Sequence, residues 1–196
     1  MKIKYTSKDL INIGIFSAIF IVVNIIISGF VVTPILQFIM MPVMALLCAP
    51  IYLLYIAKVG KLGAITITGL LASALVGLLV YGNVYCFLVN ITFFILAEVI
   101  ACMGNYKNNK LNSLSYIIVS FWAIGEAGLP WWGGGKIFYD LSLASGYSEE
   151  FAIGVNSLAT PLNLIIMLVS VVVCAIISII FAKSMFKKHF KKAGIV

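Results

Sequence analysis

The sequence predicts an all-α integral membrane domain, a bundle of six transmembrane helices with both termini on the cytoplasmic side. Three observations predict it. Hydrophobic residues make up 63% of the 196, charged residues 10%, and the mean hydropathy is +1.18, more apolar than a water-soluble domain of this size can bury. The apolar residues fall into six blocks, each near the roughly 20 residues that carry a helix across a bilayer. The positive charges then segregate along the chain in a way that only an even number of crossings explains.

The six spans, in order, are expected at about Leu10–Val32, Phe38–Ala57, Leu62–Tyr81, Val84–Met103, Ser113–Leu129 and Leu158–Ala182. The first is too long for the apolar region of a secretory signal, and no small-residue cleavage site follows it, so it is expected to remain as a span. All thirteen cationic residues are lysines. Lys2, Lys4 and Lys8 precede the first span. Lys58 and Lys61 follow the second, and Lys107 and Lys110 follow the fourth. Lys183, Lys187, Lys188, Lys191 and Lys192 follow the sixth, which leaves Lys136 alone on the other side. Twelve lysines against one is a positive-inside pattern. The net charge of +7 is thereby explained by topology and anionic lipid, and nucleic acid is not expected as a partner.

Three connections face outward on this reading. Phe30 to Gln37 joins the first two spans, Tyr81 to Asn83 is a tight turn, and Pro130–Ser157 is a lid loop of 28 residues. A loop this long in a small domain is usually functional. Its apolar content (Ile137, Phe138, Tyr139, Leu141, Leu143) predicts packing against the bundle. A short helix is expected near Ser148–Val155, capped by Ser148 with Glu149 and Glu150 in its first turn.

Small residues four apart let helices approach closely in lipid. Gly69, Ser73 and Gly77 form such a stripe in the third span, and packing inside the bundle is its simplest reading. Gly14 and Ala18 form another in the first span, where contact with a partner protein competes with internal packing.

Polar residues within spans are costly and therefore informative. Asn83 and Asn90 share a face of the fourth span. Trp122 and Glu126 share a face of the fifth, and Asn156, Thr160, Asn163 and Met167 share a face of the sixth. The polar groups all fall in the outer half, with Tyr81 and Tyr85 around the nearby turn. Trp131 and Trp132 follow Pro130, within a 14-residue stretch from Trp122 to Gly135 that holds all three tryptophans. A solute pocket open to the outside is predicted, lined by Glu126, Trp122, Asn90, Asn163, Tyr85, Asn83, Thr160, Trp131 and Trp132. Aromatic walls with a few amides and one acid suit a flat, partly apolar molecule. Three readings stand for Glu126: a side chain reaching the outer interface, a ligand for an amine or hydroxyl of the solute, or a pair with Lys136. Trp131 and Trp132 are equally readable as interface anchors. Glu98, near the cytoplasmic end of the fourth span beside Cys102, is read as an interhelical or partner contact or a neutral buried acid.

No catalytic constellation is visible. There is no nucleophile with a spaced base and no Walker motif. The single histidine, His189, lies in the basic tail. Cys48, Cys86, Cys102 and Cys174 are isolated in apolar blocks. Neither an enzyme activity nor a metal or cofactor is expected. A non-transporting membrane scaffold or interaction subunit is the alternative, with a small membrane enzyme less favoured.

The opening Ser7-Lys8-Asp9-Leu10-Ile11-Asn12-Ile13-Gly14-Ile15-Phe16-Ser17-Ala18 and the run Pro42-Val43-Met44-Ala45-Leu46-Leu47-Cys48-Ala49-Pro50 resemble the Trep_Strep (MptA) subgroup. The chain as a whole resembles the substrate-binding S components of energy-coupling factor (ECF) transporters. The resemblance implies a multi-pass protein of the bacterial cell membrane. It implies capture of a vitamin-like micronutrient from outside, with haem or another tetrapyrrole a further candidate. It also implies partners: a transmembrane T component and two cytoplasmic ATPase subunits, on which the S component docks and topples to release its solute inward. Docking in S components uses an Ala-xxx-Ala face of the first helix. Here Gly14 replaces the first alanine and Ala18 keeps the second.

Overall fold

A computed structural model describes residues 5–133 and 135–190, the last two by backbone alone. Lys2, Lys4, Lys191, Lys192, Gly134 and the side chain of His189 lie outside the described residues. The described residues form helices and no strands. In order these are α1 (Ser7–Gly29), α2 (Pro34–Leu47), α3 (Ala49–Val59), α4 (Ala64–Ser73, continuing as π-helix over Ala74–Val80), α5 (Val84–Met103), α6 (Asn109–Val119), the short α7 (Ile124–Ala127) and α8 (Leu129–Trp132), α9 (Lys136–Ala144), α10 (Glu149–Leu158) and α11 (Pro161–Met185).

Three of these helices are long and apolar enough to cross a membrane: Ser7–Gly29, Val84–Met103 and Pro161–Lys188. A fourth candidate is the broken pair α2–α3, bent by 44°. The bend follows from Pro50, which has no N–H to give to the Leu46 carbonyl and crowds the preceding turn. The expected fifth span is not one helix. Ser120 Oγ bonds back to the Tyr116 carbonyl at 2.8 Å, a competition with the helical ladder that bends helices. The Phe121 and Trp122 amides then tighten onto the carbonyls three residues back. The expected sixth span is one helix, α11, which starts at Pro161 behind its Thr160 cap, while Asn156 belongs to α10, which ends at Leu158. The helical faces expected for Trp122 with Glu126, and for Asn156 with Asn163, therefore do not exist as such.

The stripe in α4 packs inside the bundle. A Cβ on Gly69 would lie 2.3 Å from Phe94 side-chain carbons, and one on Gly77 2.6 Å from the Phe87 amide nitrogen. Ser73 between them is fully buried. The stripe in α1 faces outward: Gly14 and Ala18 are exposed, and a Cβ on Gly14 would meet nothing within 4 Å.

The lysine-bearing turns are gathered at one end. Asp9, half of a capping box with Thr6, pairs with Lys61 at 2.5 Å. Tyr5 donates to the Leu62 carbonyl at 2.6 Å. Glu98 joins three segments: one carboxyl oxygen accepts the Thr66 amide in the first turn of α4 at 3.0 Å, and the other accepts the Tyr106 hydroxyl from the α5–α6 turn. A carboxyl placed on free amides at a helix start satisfies donors that the helix itself cannot. Glu98 is thus an interhelical contact. The segments 30–34, 81–83 and 135–160 occupy the opposite end, where α10 packs on the start of α2: a Cβ on Gly154 would lie 2.7 Å from Pro34 Cγ.

The two small-residue stripes predict opposite responses. Gly69→Ala is expected to destabilise the protein by about 1–3 kcal/mol through overpacking. Gly14→Ala is expected to be neutral or stabilising by up to about 1 kcal/mol through helix propensity. Thermal unfolding of both variants in the same detergent checks the contrast.

Candidate functional site

The break between α6 and α8 is where the polar residues concentrate. Residues 122–130 are all buried, so this segment runs through the interior. It is held there by Asn90, which is itself fully buried on α5. The Asn90 carbonyl oxygen accepts the Gly125 amide at 3.2 Å, and its NH2 donates to Glu126 Oε2 at 2.7 Å. Gly125 must be glycine for this approach: a Cβ there would sit 2.3 Å from Asn90 Oδ1. The second carboxyl oxygen, Glu126 Oε1, is buried and has no partner, and Glu126 has no ion pair among the described residues. Glu126 therefore neither reaches the surface nor pairs with Lys136.

The nine residues expected to line one pocket fall into three places. Asn90, Glu126 and Trp122 are core residues. Trp122 is 1% exposed and its ring lies between Phe20 at 5.5 Å and Phe94 at 5.7 Å, so it packs the bundle. Asn83, Tyr85 and Trp132 line an open, largely apolar cleft of about 620 Å³ with Phe93, Ile124 and Leu129. Asn83 also caps α5 by accepting the Tyr85 and Cys86 amides. Trp131, Thr160 and Asn163 form a seam between α8 and α11. The Trp131 indole donates to the Thr160 carbonyl at 2.9 Å, Thr160 Oγ1 accepts the Asn163 amide, and the Asn163 side chain donates to the Leu158 carbonyl. These bonds tie down the ends of broken helices.

A second, small void lies where α9 and α10 cover the ends of α2 and α4. It is lined by Gln37, Tyr81, Ser142, Ser145 and Tyr147 on its polar side, and by Leu129, Phe138 and Phe151 among its apolar residues. Gln37 and Ser142 are 6% and 5% exposed. Among the described residues none of the five side chains has a hydrogen-bond partner. Tyr81 is half-buried and Ser145 and Tyr147 are exposed, so the donors and acceptors of this lining are open to water or to a bound molecule. The void holds about 20 Å³, roughly the space one water needs. Anything larger requires α9 and α10 to move. Aromatic contacts hold them: Tyr147 stacks on Phe151 at 4.5 Å, and Phe138 lies 6.5 Å from Phe151. On the outer side of these helices Tyr139 donates to Glu149 at 2.9 Å, which pushes that phenol above its usual range.

Leu129 connects the three features. It lies one turn after Glu126 and walls both the small void and the open cleft. Gln37, Ser142, Ser145 and Tyr147 carried no functional reading in the sequence. Gln37 had one available signal: it is the only glutamine in the chain, placed at the start of an apolar helix. Among the described residues no group of histidine, cysteine and carboxylate is arranged to hold a metal.

Removing the amide that fastens the break is expected to cost stability. Asn90→Ala leaves the Gly125 amide and the Glu126 carboxyl without their partner, a loss of about 1–3 kcal/mol. In a double-mutant cycle with Glu126→Gln the two effects are expected to be non-additive, since the residues share one bond. Thermal or denaturant unfolding of the four proteins measures the coupling.

The sequence model of a family described as "Hypothetical bacterial integral membrane protein (Trep_Strep)" matches residues 7–192. No curated protein matches, and no solved structure matches. A match over nearly the whole chain, together with helices long and apolar enough to cross a bilayer, leads to one conclusion: the chain belongs to the Trep_Strep family of bacterial integral membrane proteins.

Proposed function

We propose that the chain is the substrate-capture subunit of an ECF-type importer. It crosses the bacterial plasma membrane six times with both termini inside. It binds a vitamin-like micronutrient from the outer side and passes it inward with a T component and two ATPase subunits. The observation that carries the reading is the small void, lined by polar side chains without a partner among the described residues, at the end of the bundle opposite the lysine-bearing turns. By the positive-inside rule that end is extracellular. There α9 and α10 act as a lid, and solute fills the void when the lid opens and recloses. Gln37, Tyr81 and Ser142 supply hydrogen bonds, and Phe138 and Phe151 supply flat apolar walls. Asn83, Tyr85 and Trp132 form an adjoining vestibule, while Trp131, Thr160 and Asn163 set the hinge between lid and α11.

The other half of the mechanism is docking. The exposed Gly14 and Ala18 face of α1 is a smooth strip on which a T-component helix packs closely, as small residues allow in lipid. Solute capture and docking then lie on different surfaces and separate on mutation.

Two measurements test this. A small molecule is expected to co-purify with the wild-type protein in mass spectrometry and to be depleted in Gln37→Leu. A reproducibly empty protein with no thermal shift across vitamins and tetrapyrroles contradicts the reading. Gly14→Leu and Ala18→Leu are expected to abolish assembly with the T component while sparing the bound molecule. Loss of both properties together contradicts the division of labour.

A further inference from the structure

The open cleft beside Trp132 has the features of a binding site in its own right. It encloses about 620 Å³, a volume typical of small-molecule sites. Its α5 wall is Tyr85, Val89 and Phe93, residues four apart that share one helix face. They span about 12 Å at 1.5 Å per residue. Because α5 is long and apolar enough to cross a membrane, a cleft that follows it from its first turn to Phe93 descends well into one leaflet of a hydrocarbon core about 30 Å thick. Leu88 and Leu96, beside that face of α5, are exposed. The cleft therefore opens onto the lipid-facing surface of the bundle.

The facing wall is built by a glycine. Trp132 is exposed, yet its ring is seated on Gly128: a Cβ there would lie 1.8 Å from Trp132 Cη2. The neighbouring Trp131 gives its N–H to the Thr160 carbonyl. The Trp132 N–H has no partner among the described residues, nor has the Tyr85 hydroxyl or the NH2 of Asn83, which caps α5 through its Oδ1. Three donors thus border the cleft, and no charged side chain lines it. Donors without charge suit an uncharged acceptor such as a carbonyl. The rings of Tyr85, Phe93 and Trp132 suit a flat apolar body more than an acyl chain.

We propose that this cleft binds an uncharged, flat, lipophilic molecule that carries a carbonyl-type acceptor and reaches the protein through the lipid. The acceptor meets Asn83, Tyr85 and Trp132, and the ring lies against Phe93. The site is independent of what fills the void under α9 and α10.

Equilibrium dialysis into lipid nanodiscs with and without the protein tests this with three probes. 2-Acetylnaphthalene has the ring and the acceptor, 2-ethylnaphthalene the ring alone, and methyl decanoate an acceptor on a chain. Saturable binding above that of empty nanodiscs is expected for 2-acetylnaphthalene, with 2-ethylnaphthalene weaker by about threefold or more and methyl decanoate weakest. Trp132→Phe removes one donor and keeps a ring. It is expected to weaken 2-acetylnaphthalene by about three- to tenfold and to leave 2-ethylnaphthalene within about twofold, as loss of one neutral hydrogen bond does. Tyr85→Phe, at an exposed position, is expected to do the same, and it decides where melting shows Trp132→Phe to be unfolded. Gly128→Ala displaces the indole and is expected to weaken both ring probes. No saturable binding by wild type, equal binding of the two ring probes, or a chain that binds tighter than either overturns the proposal. Unchanged binding of 2-acetylnaphthalene in the folded Phe variants overturns it as well.

Discussion

The Asn90 side chain holds the centre of this structure. Its carbonyl oxygen accepts the Gly125 amide and its NH2 donates to Glu126. In hydrocarbon no water substitutes for a missing partner, so a broken helix inside a membrane bundle survives only where side chains take over its free backbone groups. Asn90 does this for the segment that follows α6. With Gly125 and Glu126 anchored to α5, Leu129 and the two following tryptophans leave the core at a fixed point. Trp131 is then tied to the Thr160 carbonyl, and α9 and α10 span the distance between these two fixed ends. The covered void follows from that geometry.

The two ends of the bundle differ in how their polar groups are treated. At the lysine-bearing end hydrogen bonds join several elements: Glu98 with Thr66 and Tyr106, Asp9 with Lys61, Tyr55 with Thr68 and the Ala64 carbonyl, and Ser115 with the Ala97 carbonyl, while Asn112 Oδ1 is buried without a partner. At the other end five polar side chains around one void have none among the described residues. Opening the cover of that void disrupts the Tyr147–Phe151 and Phe138–Phe151 contacts, which suits a covering that must move.

Much of this was legible in the sequence, and the failures share a cause. The α5 helix spans Val84–Met103 as hydropathy indicates, and α10 starts at Glu149 behind its Ser148 cap. Both depend on local signals: apolar length, and a hydroxyl before two acids. The packing of Gly69, Ser73 and Gly77 on α5 was equally readable, because small residues four apart have few other uses in lipid. The break at residues 120–123 was not. It rests on Asn90 bonding Gly125, a contact between residues 35 apart that no periodicity records. Extending one helix through Trp122 and Glu126 placed them on a common face, when the structure turns Trp122 into the core against Phe20 and Phe94. The candidate site suffered similarly. Glu126 stands out in the sequence as a carboxyl in an apolar block, and the structure puts it in the core bonded to Asn90. Gln37, Ser142 and Tyr147 come from three segments, and only the folded chain brings them together.

The account stands or falls on what occupies the void when solute is bound. The direct measurement is an experimental structure of the protein purified from its own membrane without stripping bound molecules, at a resolution that shows side chains. The account predicts a small molecule under α9 and α10, hydrogen-bonded to Gln37, Tyr81 and Ser142, with the void enlarged to hold it. A bound molecule lodged elsewhere, with water alone between those three side chains, would contradict it.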